Sequence, residues 1–94
     1  MTVEEIADYL KLLGFEIEHN SSDRTRTYVS IPISHNYSDR MAEIWDGISI
    51  VGLYCYGDCT ILLNALSKSY KVTECMEHYY AIADSNSGRS SWLP

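Results

Sequence analysis

The sequence predicts a small α+β single domain: an N-terminal helix, an antiparallel hairpin, a further helix or strand, and a C-terminal helix. Three observations carry this reading. Apolar residues recur at helical spacing over residues 3–13, alternate with polar ones over 15–33, and recur at helical spacing again over 72–84. At 94 residues and 46% apolar content the chain has material for one modest core. That core is placed in residues 1–84, and the polar stretch 85–94 is read as a mobile tail, with Trp92 and Leu93 as an apolar anchor.

The first helix is justified by its ends as well as its stripe. Thr2 and Glu5 have capping-box spacing, Val3, Ile6, Leu10 and Leu13 share one side, and Gly14 offers a left-handed exit before Phe15. In the hairpin, Phe15 and Ile17 alternate with Glu16 and Glu18, and after the turn formers 20–23 the residues Thr27, Val29, Ile31 and Ile33 share a face. This register puts Arg24 and Arg26 near Glu16 and Glu18, and Pro32 ends the ladder. Ser38 caps a second helix over 38–45, while residues 46–66 stay open between helix and strand. The competing reading there is a turn at Asp46-Gly47 followed by a strand over 48–56. Asp58 would cap a helix bearing Ile61, Leu62, Ala65 and Leu66, although this run is also apolar enough for a central strand. In the C-terminal helix, Val72, Cys75, Met76, Tyr79, Tyr80 and Ala83 form the stripe opposite Glu74, Glu77 and Asp84.

Charge narrows the function. Thirteen acids against seven bases give a net charge of -6, which disfavours direct nucleic-acid contact, because phosphate neutralisation needs clustered cations. The expected partner is a protein, and a nucleic-acid-binding one in particular, whose basic surface an acidic strip on two adjacent helices would occupy. The residues expected to bind are Glu4, Asp8, Glu74, Glu77 and Asp84, with Tyr80 beside them, in a chain unusually rich in tyrosine. No apolar run reaches the ~18 residues of a membrane span and no signal peptide precedes the first helix, so the chain is read as cytoplasmic.

No catalytic residues are assigned: there is no Gly-rich phosphate loop, no nucleophile elbow and no H-E-x-x-H, and His19, His35 and His78 lack a partner group in sequence. The expectation is a non-enzyme with no cofactor and no metal. The competing chemical reading is structural zinc held by Cys55, Cys59, Cys75 and His78; against it, Cys75 falls on an apolar stripe and a free Cys is commonly buried.

Glu4-Glu5-Ile6, Leu10, Leu13-Gly14-Phe15, Val29-Ser30-Ile31-Pro32 and Glu43-Ile44-Trp45-Asp46 together make residues 2–57 resemble the winged-helix-like accessory domain of the phenylalanyl-tRNA synthetase β subunit. Where that family has a Ser/Pro-Tyr-Arg-x-Asp turn, this chain has Ile33-Ser34-His35-Asn36-Tyr37, and Gly47 and Gly52 interrupt the second helix. The resemblance implies a non-catalytic contact with tRNA or a neighbouring protein domain, through Arg24, Arg26, His35 and Arg40. The general profile of a short, acidic, motif-free chain is also similar to that of phage-encoded anti-CRISPR inhibitors, which implies stoichiometric occlusion of a partner's surface.

Overall fold

The computed structural model describes residues 1–19, 26–30 and 40–85. Arg24, Pro32, His35, Ser38, Trp92 and Leu93, and with them the tail, lie outside the described residues. Helix α1 spans Val3–Leu12 and stands where its sequence signals put it. Thr2 Oγ1 accepts the Glu5 N–H at 3.3 Å, and Glu4, Glu5 and Lys11 complement the helix dipole at either end. At the exit Gly14 takes φ 99°, so that Gly14 N–H reaches the Lys11 carbonyl and Phe15 N–H the Leu10 carbonyl, each at 3.0 Å. A side chain at residue 14 would resist that left-handed turn.

Beyond α1 the class differs from the expectation. The chain is built on a six-stranded antiparallel sheet in the order β1-β2-β3-β4-β6-β5, with only one further helix among the described residues. The strands are β1 Glu16–His19, β2 Arg26–Ser30, β3 Arg40–Asp46, β4 Val51–Cys55, β5 Tyr70–Met76 and β6 Tyr79–Asp84; helix α2 is Thr60–Ser67. Two predicted helices are therefore strands. Residues 38–45 carry apolar side chains at helical intervals, but Ala42 and Ile44 also alternate with Glu43 and Trp45, and the neighbouring strands β2 and β4 supply hydrogen-bonding partners on both sides. Residues 72–84 show no clean alternation, since Glu74 shares the inward side with Val72, Tyr80 and Ile82 and Met76 is exposed. Glu77-His78 breaks the stripe as a two-residue turn with His78 at φ 70°, after which Tyr80 and Ile82 alternate inward. In the open stretch 46–66 a turn and a strand do form, but shifted: Asp46 ends β3 opposite Val51, Gly47 N–H bonds the Ile50 carbonyl at 2.9 Å across a loop over 47–50, and β4 starts at Val51 rather than at residue 48. Asp58 assists α2, its Oδ1 accepting from Thr60 N–H at 3.0 Å and Thr60 Oγ1 at 2.6 Å.

The alternation of the sheet defines two layers. Thr27, Val29, Ala42, Ile44, Val51, Leu53, Cys55 and Ile82 point to one side, where they meet Val3, Ile6 and Leu10 of α1, Phe15, Cys59, and Leu62 and Leu66 of α2. Tyr9 ties the two helices together: its hydroxyl donates to the Ala65 carbonyl at 2.7 Å and its ring meets Tyr70 edge-on at 5.2 Å. Both helices thus cover the same face, and the opposite face has no helix against it among the described residues.

Candidate functional site: the uncovered aromatic face of the sheet

Strand register lays two rows of side chains across the uncovered face. One row runs Tyr28, Glu43, Tyr54, Tyr79 and Met76; the next runs Arg26, Trp45, Gly52, Ala81 and Thr73. A Cβ on Gly52 would lie 2.4 Å from the Trp45 indole, so the ring is laid flat over the glycine of the next strand. Gly52, which argues against a helix in the sequence, is where the largest side chain of the face is seated.

From Trp45 the aromatic groups continue in contact. Its ring meets Tyr79 at 6.4 Å, Tyr79 meets Tyr54 at 4.8 Å, and Tyr54 meets Tyr56 at 5.5 Å and His78 at 6.1 Å. Tyr79, Tyr56 and Met76 are 41%, 44% and 64% exposed, an apolar surface of the composition that interface centres favour. Two arginines frame it. Arg40 lies 3.9 Å above the Tyr28 ring and bonds Glu18 at 2.6 Å, while Arg26 lies 5.8 Å from the Trp45 ring and pairs with Glu43. The hairpin charge pairing expected from sequence is thus redrawn. Glu16 and Glu18 stand opposite Ser30 and Tyr28, and the arginine on Glu18 comes from β3. Exposed ion pairs of this kind contribute about 0–1 kcal/mol, so their main effect is to hold the guanidinium groups against the rings.

Glu43 is the polar centre of the face, since it also accepts from the Tyr56 hydroxyl at 3.2 Å. Burial, followed by the charge and hydrogen bond of Glu43, pushes the Tyr56 phenol up to about 12. At the end of the row, Tyr56-Gly57-Asp58 turns between Cys55, at the end of β4, and Cys59, the N-cap of α2. The two thiols are buried, and the Cys59 thiol donates to the Met41 carbonyl at 3.1 Å. Burial raises both thiols.

The chain has no match among family models, curated proteins or solved structures.

The binding residues expected from sequence are dispersed. Glu4 and Asp8 are exposed on α1 in the helical layer. Glu74 and Tyr80 are cross-strand neighbours on β5 and β6, Tyr80 packing against the core, and Asp84 pairs with Tyr70 at the far end of that hairpin. Glu77 alone adjoins the aromatic row, in the turn beside His78. The two-helix acidic strip therefore does not form, because 72–84 is a hairpin rather than a helix. The zinc set is not assembled either. Cys75 is exposed on β5, and no three metal-ligating groups converge among the described residues. Glu43-Ile44-Trp45-Asp46, aligned with a helix by the resemblance, lies in β3. Arg40 enters the sequence reading only as a contact residue implied by the synthetase resemblance, Trp45 within the motif that carries it and Tyr79 on a helical stripe, while Tyr28 and Tyr54 are not singled out; the alternation of Glu43 and Trp45 with Ala42 and Ile44 is the signal that marks the face. No helix among the described residues is long and apolar enough to cross a membrane.

Proposed function

We propose that this chain is a non-catalytic protein-binding module that acts stoichiometrically, docking the aromatic face of its sheet onto a partner and occluding the surface it covers. The observation that carries the reading is the continuous row Trp45, Tyr79, Tyr54 and Tyr56 on a face that has no helix against it among the described residues. Rigid aromatic groups already held in contact lose little entropy on docking.

A protein is favoured over a polynucleotide because Arg26 and Arg40 are engaged by Glu43 and Glu18, while the chain as a whole carries a net charge of -6. Charge complementarity then selects a partner with a basic rim around an apolar patch, as nucleic-acid-handling proteins present. Occlusion of such a surface would make the module an inhibitor in the manner of anti-CRISPR proteins.

The test is capture of a partner from bacterial lysate by wild type and by two double variants, each checked by circular dichroism. Trp45→Ala with Tyr79→Ala should lower capture at least tenfold, and heparin should displace the partner from wild type. Glu4→Gln with Asp8→Asn should change capture less than threefold. Undiminished capture by the folded Trp45/Tyr79 variant would remove the face from the interface. Recovery of tRNA itself, lost on nuclease treatment, would favour the synthetase-accessory reading.

A further inference from the structure

We infer that Cys55 and Cys59 are a reversible oxidation site, closing as an intramolecular disulfide through exchange with a small-molecule disulfide and so re-setting the turn that carries Tyr56. Three features of geometry support this. The two cysteines bracket a three-residue turn, 56–58, whose residues are all exposed, so the thiols lie directly beneath a surface loop. Cys59 Sγ sits 3.1 Å from the Met41 carbonyl and Cys55 is the strand partner of Ala42, so both thiols gather at one point of β3, whereas Cys75 is exposed on β5 and its Sγ faces the Thr73 carbonyl at 3.8 Å. The turn is also anchored on both sides. Tyr56 N–H bonds the Met41 carbonyl at 3.0 Å, the same oxygen that accepts the Cys59 thiol, and Cys55 N–H bonds the His78 carbonyl at 2.8 Å. The strand ends are thus held in place while the sulfurs close to the ~2.05 Å of a disulfide.

The order of attack follows from the surroundings. Cys59 stands at the N-terminus of α2, where the helix dipole favours its thiolate over that of Cys55 in β4. Cys59 loses its proton and attacks one sulfur of the small disulfide, expelling a thiolate that takes up a proton. Cys55 then loses its proton and attacks the Cys59 sulfur of the mixed disulfide, expelling the second small thiol. The protein is oxidised by two electrons and one disulfide is reduced to two thiols. Oxidation removes the Cys59 S–H bond to the Met41 carbonyl, leaving that oxygen to the Tyr56 N–H. Because Tyr56 stacks on Tyr54 and bonds Glu43, the change is delivered to one end of the aromatic row. That last consequence rests on the docking role proposed above; the disulfide itself does not.

The experiment uses the isolated protein with Cys75→Ser, which clears the exposed competitor, exposed to oxidised glutathione at mildly alkaline pH. The expected product has lost both thiols and the mass of two hydrogens, runs as the same species on a non-reducing gel, regains both thiols with dithiothreitol, and yields a linked Cys55–Cys59 peptide on digestion. Wild type digested in the same way should give the same linked peptide. Adding Cys59→Ser should abolish the linked product. Retention of both thiols by the folded protein, while the urea-unfolded chain oxidises, would overturn the site. Products consisting only of glutathione adducts or disulfide-linked dimers would overturn it equally. No partner enters the assay, so its failure and the failure of the docking face are read separately. If both hold, oxidised and reduced protein should differ in partner capture, and Tyr56→Phe should leave disulfide formation unchanged.

Discussion

The seating of Trp45 on Gly52 shows how much of this face depends on a missing side chain. A methyl group at residue 52 would meet the indole at 2.4 Å, so Gly52→Ala should expel the ring and cost about 1–3 kcal/mol in urea denaturation. In a Trp45→Ala background the same change should cost much less, because the neighbour that must move is gone. A double-mutant cycle with no coupling would refute the contact. Tyr56 gives a second prediction at this scale. Its phenol titrates near 12 in the fold against an ordinary 10, so the folded state keeps a proton that the unfolded chain releases. The resulting stability is fully present below pH 10 and is lost as pH rises toward 12. Tyr56→Phe should flatten that alkaline loss in thermal melts taken across this window. Individual residues were the least legible level of the sequence. The abundance of tyrosine pointed to an interface, yet which tyrosines stack depends on cross-strand register, and a one-residue shift would carry Tyr54 and Trp45 to the core side.

The elements were legible where a signal acted locally. Helix α1 is defined by Thr2, Gly14 and an unbroken stripe, all within a few residues of one another, and the structure places it there. Thr2→Ala should cost about 1 kcal/mol, and Ile6→Ala, which opens a cavity under a fully buried side chain, about 2–5 kcal/mol in the same denaturation assay. If Ile6→Ala proved as mild as the cap change, α1 would not be part of the core. The segments 38–45 and 72–84 were misread for a shared reason. Each carries apolar residues at helical intervals, and the choice between helix and strand falls to partners distant in sequence. Residues 40–46 become a strand because β2 and β4 offer hydrogen bonds on both sides, and 79–84 because β4 and β5 do. Such tertiary decisions leave no local mark beyond the Glu77-His78 and Asp46-Gly47 turns, and strand propensity is itself set by packing context.

For the whole molecule, the size and single core were readable from composition, whereas the division into a covered and an uncovered face was not, since it needs the helices assigned to one side. The charge surplus was equally plain, but its predicted location on two adjacent helices vanished with the second of them. Binding should nonetheless keep an electrostatic component. Raising salt from low to physiological concentration should slow association of the captured partner without greatly changing its dissociation, as read by surface plasmon resonance. Dissociation should instead respond to Trp45→Ala. One topological detail reaches further. Strand β6 lies between β4 and β5, so the inner position beside β4 is filled by the last strand of the order to be synthesised. Until β6 docks, β4 presents an unpaired backbone edge, a template for pairing with another chain. The early meander therefore has to wait for its final partner, and slow docking of the β5–β6 hairpin prolongs the least protected state of the chain.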